Sequence, residues 1–259
     1  MTRTSSHPRP NQRSYALTAG TALLLMALAA MFSYGYVHGR LLEQGDAAVT
    51  YMNLTTHAGL FLAGIAGWTL ILICDLITAW SLYLYLKPTN QPMALLGAWL
   101  RLLYTALLGV AVMNLIYARL LTMNTESGMP NDQLQAQTML YVQAFDTMWS
   151  LGLIVFGTHL LVVGTIAMQP LRMPRWIGGL LLLAGTGYVM VHGCHLLIPD
   201  YDSFIRLLEA ILTAPMAAGE LALAVWLLSR GGKAVPPANS PVNSVNLDNP
   251  ISPGQPASH

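Results

Sequence analysis

Six apolar stretches dominate this sequence, and each is long enough to cross a membrane as a helix. They span residues 14–37, 57–86, 92–121, 138–169, 175–198 and 203–229. A helix needs about 20 apolar residues to cross the hydrocarbon core of a bilayer. Because backbone N–H and C=O groups find no water there, each stretch must pair them internally, as a helix does. The sequence therefore predicts an all-α polytopic membrane bundle of six transmembrane helices.

The composition supports a membrane protein with no large soluble domain. Hydrophobic residues make up 54% of the chain and charged residues 9%, whereas soluble domains carry about 25% charged residues. We predict a polar N-terminal segment over 1–13, a transmembrane domain over 14–230 and a disordered tail over 231–259, which holds six prolines. The net charge of +1 gives no reason to expect nucleic-acid binding. The expected partner is the lipid bilayer, with no oligomeric state indicated.

The basic residues between the spans predict the orientation of the chain. Eight lie on one side and three on the other; they are Arg3, Arg9, Arg13, Lys87, Arg172, Arg175, Arg230 and Lys233 against Arg40, Arg119 and Arg206. Cytoplasmic loops carry the excess of Lys and Arg, so both termini are expected in the cytoplasm. The first apolar stretch has a basic start and an Ala27-x-Ala29 pattern, but at about twenty residues it is longer than a signal-peptide core and is expected to remain a helix.

Four ionisable residues lie deep inside four different spans: Asp75, Arg101, His159 and Glu220. Each is about ten residues from the predicted cytoplasmic end of its span, which corresponds to about 15 Å of helix. All four are therefore expected at one level, near the middle of the hydrocarbon core. A charge at that depth costs about 2.5–3.5 kcal/mol, so a common explanation is needed.

A direct ion pair explains two members of this midplane layer. Asp75 and Arg101 lie on helices joined by a short turn, at matched depths, and a guanidinium can hold a carboxylate through two N–H groups. Trp99 and Tyr104 flank Arg101 and are expected to help shield it. This pairing leaves His159 and Glu220 freest to relay a proton or bind a ligand. The alternative is that the whole layer only holds the helices together.

A second polar group is predicted near the outer face. It comprises His57, Asp146, His192, His195 and Glu209. His192 and His195 are three residues apart and share one face of a helix. Paired histidines with carboxylates are typical zinc ligands, but HExxH is missing and the other ligands would have to come from separate helices. We therefore predict no metal site, and no motif in the sequence calls for another cofactor.

Several short motifs in the expected order resemble one known family. They are Ala144-Phe145-Asp146 through Trp149, Phe156-Gly157-Thr158-His159-Leu160, Met173-Pro174-Arg175-Trp176-Ile177-Gly178, Gly185-Thr186-Gly187-Tyr188, Asp75 after Cys74, Leu100-Arg101-Leu102, and Gly219-Glu220 before Val225-Trp226-Leu227-Leu228. The chain resembles, over about 14–232, a family of bacterial integral membrane proteins catalogued as domain of unknown function 4386. The resemblance implies a multi-pass protein of the bacterial cytoplasmic membrane and implies no reaction or ligand.

Three functional classes remain open from the sequence. The first is a protein that binds or translocates a small solute or a proton at the midplane layer. The second is an intramembrane enzyme that acts on a lipid or another hydrophobic substrate by acid–base chemistry, so enzyme activity is neither predicted nor excluded. The third is a structural or accessory subunit. The midplane depth and a faint similarity between spans two–three and four–five, of the kind found in some transporters, favour the first class.

Overall fold

A computed structural model describes residues 12–123, 128–169, 173–197 and 202–232, without the side chains of 202–209. These residues form seven helices and no strand: α1 (Gln12–Leu41), α2 (Ala47–Thr56), α3 (Ala58–Leu86), α4 (Gln91–Met123), α5 (Asn131–Met168), α6 (Arg175–Leu197) and α7 (Asp202–Ser229). Six of the described helices, all but α2, are long and apolar enough to cross a membrane. The prediction of an all-α bundle with six spans is confirmed, and the chain is a multi-pass membrane protein.

The six spanning helices pack as a ring in chain order. Each of α3, α4, α5 and α6 packs on the helices before and after it, and α7 returns to pack on α1. In this order α1 stands opposite α5, so side chains from these two helices meet across the axis of the ring. Residues near the middle of the spans are thereby brought to one place, although they are far apart in the sequence.

The start of α1 and the end of α7 lie at the same end of the bundle, which we call the proximal end. Arg13 on α1 donates hydrogen bonds to the backbone carbonyls of Leu227, Leu228 and Gly231, at 3.1, 2.6 and 2.8 Å. The last carbonyls of a helix have no N–H partner within the helix, and a cation there also complements the helix dipole. The guanidinium therefore joins the first and last spans and closes the ring.

The helix boundaries differ from the sequence prediction mainly at the opposite, distal end. The first span continues to Leu41, and its last part, Met31–His38, is wound as a π-helix. Helix α2 was not predicted; it begins at Ala47, and the side chain of its N-cap, Asp46, accepts a hydrogen bond from the Val49 N–H at 2.9 Å. Helix α5 begins at residue 131 instead of 138. The residues of its first turns are largely polar, so they were not counted in the apolar stretch from which the span was predicted. The predicted segments 1–13 and 231–259 lie outside the described residues, apart from 12–13 and 231–232.

Glycines set the close packing of α5 against α6. Gly157 faces Gly185, and Gly164 faces Gly178 one pair further along the antiparallel helices. A Cβ at Gly157 would stand 2.7 Å from the Gly185 carbonyl oxygen, and one at Gly164 would stand 3.1 Å from that of Gly178. Small residues allow such backbone approach in membrane bundles. The seam fixes α5, which carries His159, against its neighbour.

Candidate functional site

Arg101 lies at the centre of the ring and forms a tight ion pair with Asp75. Its Nε donates to Asp75 Oδ1 at 2.9 Å, and its Nη2 lies 2.7 Å from the same oxygen. Both side chains are buried, at 1% and 0% exposure. The two N–H groups thus converge on one oxygen instead of pairing with two, and Asp75 Oδ2 is buried without a hydrogen-bond partner among the described residues.

His159 joins this pair through both of its ring nitrogens. Nδ1 lies 2.8 Å from the carbonyl oxygen of Gly97, and Nε2 lies 3.2 Å from Arg101 Nη1. A carbonyl only accepts and a guanidinium only donates, so Nδ1 carries the proton and Nε2 accepts. The imidazole is therefore held neutral in one tautomer. The expectation that His159 is free to relay a proton does not fit this geometry, since neither nitrogen is spare.

Glu220 is the least engaged of the four midplane residues. Its Oε1 lies 3.7 Å from Arg101 Nη1, which is an ion-pair distance but too long for a hydrogen bond. Its side chain keeps 21% exposure, while Oε1 itself is buried without a hydrogen-bond partner among the described atoms. The carboxyl can therefore rotate or exchange a proton without breaking a hydrogen bond to Arg101.

Two further side chains complete the surroundings of Arg101, one from α1 and one from α5. Nη2 approaches the Met26 sulfur of α1 at 3.5 Å, and the guanidinium carbon stands 5.4 Å from the centre of the Phe156 ring. We call Asp75, Arg101, His159 and Glu220, with these two neighbours, the hub. Trp99 does not shield Arg101 as expected, because it lies two residues away on the opposite face of α4 and is 65% exposed. Phe156 provides the cation–π contact instead.

Packed side chains enclose three members of the hub. Asp75, Arg101 and His159 are each 2% exposed or less. The cavity that His159 lines has a volume of about 10 Å³, which is about the space of one water molecule. A lipid or other large substrate therefore has no access to these three side chains in this conformation.

An aromatic layer separates the hub from the distal end. It consists of Tyr34 from α1, Trp68 from α3, and Phe145 and Trp149 from α5. The ring centres of Tyr34 and Trp149 are 4.7 Å apart, and Trp68 lies 5.0 Å from Trp149 and 5.1 Å from Phe145. These contacts join helices from opposite sides of the ring, so the layer closes its axis above the hub.

A cavity of about 570 Å³ opens on the distal side of the aromatic layer. We call it the distal cavity; its walls come from the π-helical end of α1, the following loop and α5. The lining residues are Tyr34, Gly35, His38, Gly39, Leu42, Glu43, Gln44, Gly45, Met139, Val142, Gln143 and Asp146. Asp146 is 22 residues from the proximal end of α5, or about 33 Å. The cavity therefore lies at the distal boundary of the hydrocarbon core, within reach of water.

An acid and a base face each other across the distal cavity. His38 Nε2 lies 3.6 Å from Asp146 Oδ1, with side-chain exposures of 19% and 47%. The His38 ring also packs 5.0 Å from Tyr34. The π-helix carries both His38 and Tyr34, and such segments occur frequently at functional sites.

The structure does not bring the predicted outer polar group together. Asp146 faces His38, whereas His192 bonds to the Ser150 hydroxyl at 2.7 Å and stacks on His195. His57 lies in the turn between α2 and α3. The side chain of Glu209 lies outside the described residues. Among the described residues, no three His, Cys, Asp or Glu side chains are grouped as metal ligands.

Sequence reasoning missed His38, Met26 and Phe156. His38 stands one residue beyond the predicted end of the first span, 14–37, and was therefore not counted among the polar residues of the spans. Its position at the same membrane boundary as Asp146 is the signal that would have found it. Met26 and Phe156 gave no signal, because an apolar residue in an apolar helix does not reveal which neighbour it contacts.

Comparison with known proteins identifies a family and no activity. The family described as "Domain of unknown function (DUF4386)" matches residues 18–231, which include the last five spans and most of the first. An uncharacterized protein of Archaeoglobus fulgidus is 27% identical over 171 residues, or 65% of this chain and 84% of that protein. No solved structure matches the chain.

Proposed function

The chain belongs to the DUF4386 family, and from this premise we propose that it is a membrane-embedded binding protein for a small polar solute. The observation that carries the proposal is the distal cavity. Its volume of about 570 Å³ falls within the range of about 300–1,000 Å³ that ligand sites occupy. It is also the place where a partly exposed acid and base, Asp146 and His38, face each other beside an aromatic ring.

The contrast with the hub supports the choice of the distal cavity. The cavity beside His159 is too small for a solute, and the strongest contacts of the hub are already made within the protein. The midplane layer was the expected binding site; its geometry instead suits the role of the centre that holds five helices together. In this proposal the distal cavity binds the solute, and the hub holds the helices together.

Filling the distal cavity tests this proposal. The purified protein is screened for thermal stabilisation by a panel of amino acids, amines, sugars and short carboxylates. A ligand at one hundred times its Kd should stabilise the protein by about 2.7 kcal/mol. Gly39→Leu fills part of the cavity, and Gly179→Leu is the matched control, since a Cβ at either glycine meets no atom within 4 Å.

The expected result is a compound that stabilises the wild type and Gly179→Leu but not Gly39→Leu. Two results would overturn the proposal. One is that no compound in the panel stabilises the wild type. The other is that the stabilising compounds act equally on Gly39→Leu, which would place their site elsewhere on the protein.

A second candidate function is translocation of a proton along the axis of the ring. It is favoured by two buried carboxyl oxygens at the hub, Asp75 Oδ2 and Glu220 Oε1, that have no hydrogen-bond partner among the described atoms. Liposomes that contain the protein and a pH-sensitive dye test it. The wild type should dissipate an imposed pH difference faster than empty liposomes, and Glu220→Gln should not. Equal rates for wild type and empty liposomes would exclude this function.

We also propose the bacterial cytoplasmic membrane as the location, with both termini in the cytoplasm. The support is the excess of Lys and Arg on the proximal side. A green fluorescent protein fused after His259 should fluoresce, because it folds in the cytoplasm, and alkaline phosphatase at the same position should be inactive. The reverse pattern would contradict this orientation.

A further inference from the structure

The charges around the distal cavity favour a cationic ligand. Glu43 and Asp146 contribute carboxylates to the lining, which includes no Lys or Arg. Arg40 follows the lining residue Gly39 in the chain, but it bonds to the Tyr36 hydroxyl at 3.0 Å and packs over that ring. An anion would therefore meet two negative side chains, and no lysine or arginine in the lining would offset their charge.

The carboxylate of Asp146 remains able to receive a ligand. Its distance of 3.6 Å from His38 Nε2 exceeds that of a hydrogen bond, and the side chain is 47% exposed. The buried Asp75 differs in this respect, because two guanidinium N–H groups already hold one of its oxygens. An ammonium group near Asp146 would gain an ion pair without displacing an existing hydrogen bond to this side chain.

An aromatic ring stands beside these carboxylates. Tyr34 lines the distal cavity and is 46% exposed. Its contacts in the aromatic layer hold the ring in position, with the centre of the Trp149 ring at 4.7 Å. A fixed aromatic face with a carboxylate nearby is the arrangement that binds quaternary and primary ammonium groups by cation–π attraction.

The size of the distal cavity argues for an organic cation instead of a metal ion. Metal ions require ligands at about 2.0–2.6 Å on every side, in a small site. The space of about 570 Å³ is far larger, and the glycines Gly35, Gly39 and Gly45 keep it open. The absence of a three-residue metal-ligand group among the described side chains agrees with this.

We infer that the ligand of the distal cavity is a small organic cation, an amine or quaternary ammonium compound, held by the Asp146 carboxylate and the Tyr34 ring, with Glu43 adding to the negative field. This inference rests on the proposed function, since it names the class of solute that the cavity takes. Asp146 supplies the charge and Tyr34 the aromatic face. His38 packs against the ring and orients it.

Binding of matched probes tests the inference. Calorimetry on the full chain in nanodiscs compares choline, phenethylamine and tetraethylammonium with 3,3-dimethylbutan-1-ol, the uncharged isostere of choline, and with 3,3-dimethylbutanoate, an anion. At least one cation should bind, and the isostere and the anion should bind at least about ten-fold more weakly. Asp146→Asn should weaken the cation about ten-fold or more, while Asp132→Asn, an exposed aspartate on the same helix, should change nothing.

Substitutions of Tyr34 separate an aromatic role from a polar one. Tyr34→Phe keeps the ring and should retain cation binding, whereas Tyr34→Leu should lose it. Equal binding of choline and its uncharged isostere would overturn the cation assignment and leave solute binding in place. No binding by any of the cations would also overturn it, and the metabolite screen with Gly39→Leu then decides independently whether the cavity binds another solute.

Discussion

The hub and the distal cavity each hold a carboxylate that faces a basic side chain, but the two pairs differ in the distance between their charged atoms and in their burial. Asp75 and Arg101 are 2.7 Å apart and fully buried, whereas Asp146 and His38 are 3.6 Å apart and partly exposed. In lipid a charge is stable only when it is paired, so the geometry of the first pair must be tight. At the membrane boundary water compensates a loose pair. This difference is why we propose a structural role for the buried pair and a ligand-binding role for the pair at the boundary.

Removal of Arg101 should have the largest effect on stability. Arg101→Met leaves Asp75 buried without its partner, and such a loss costs about 3–5 kcal/mol. The free energy of unfolding, measured by SDS titration in mixed micelles, should fall by that amount. The double variant Arg101→Met with Asp75→Leu should recover most of the loss, because no charge remains to be compensated. A single variant as stable as the wild type would show that Asp75 has another partner or stays neutral.

Removal of His159 should have an intermediate effect. His159→Leu keeps a similar volume but leaves one Arg101 N–H without its acceptor, which costs about 1–3 kcal/mol for a buried donor. The same SDS titration measures it. Thr158→Val is the control, since the Thr158 side chain is exposed and bonds only to its own helix; a change below about 0.5 kcal/mol is expected there. Equal effects of the two variants would mean that the hydrogen bond to Arg101 contributes nothing.

The sequence predicted the parts of this fold that depend on hydrophobic length and depth. Six spans and the common level of the midplane residues follow from counting residues along apolar helices. The proximity of Asp75 to Arg101 follows from the short turn between their helices. Local geometry was predictable wherever two elements are joined closely in the chain.

Contacts across the ring could not be predicted in this way. The meeting of His38 with Asp146 depends on α1 and α5 standing opposite each other, and nothing in either helix alone encodes that arrangement. The π-helical winding of Met31–His38 also turns His38 to a face that a regular helical count does not give. The outer histidines show both cases: His192 and His195 stack on each other as their spacing predicted, whereas the contact of Asp146 with His38 depends on which side of the ring each helix faces.

Substitution of Glu220 should change stability little. Glu220→Gln keeps an oxygen at the same position, and the existing contact to Arg101 is too long for a hydrogen bond. Polar contacts within membranes contribute about 0.6 kcal/mol on average, so a loss below about 1 kcal/mol is expected in the SDS titration. Gly219→Leu is the contrasting variant on the same helix, because a Cβ there would stand 3.2 Å from the Leu180 carbonyl oxygen. A loss from Glu220→Gln as large as that from Arg101→Met would make Glu220 a structural partner of the hub.

The smallest effect is expected from Asp146→Asn, which makes the same chemical change as Asp75→Asn in the other pair. Exposed ion pairs contribute about 0–1 kcal/mol, so the free energy of unfolding should hardly change at Asp146. At Asp75 the same change removes the charge that compensates a buried guanidinium, and a loss of several kcal/mol is expected. Titration of both variants in one micelle system gives the comparison directly. Equal losses would mean that Asp146 also holds the bundle together, and the distinction between a structural centre and a binding cavity would then fail. A stable Asp146→Asn protein that no longer binds organic cations would establish that this carboxylate serves the ligand.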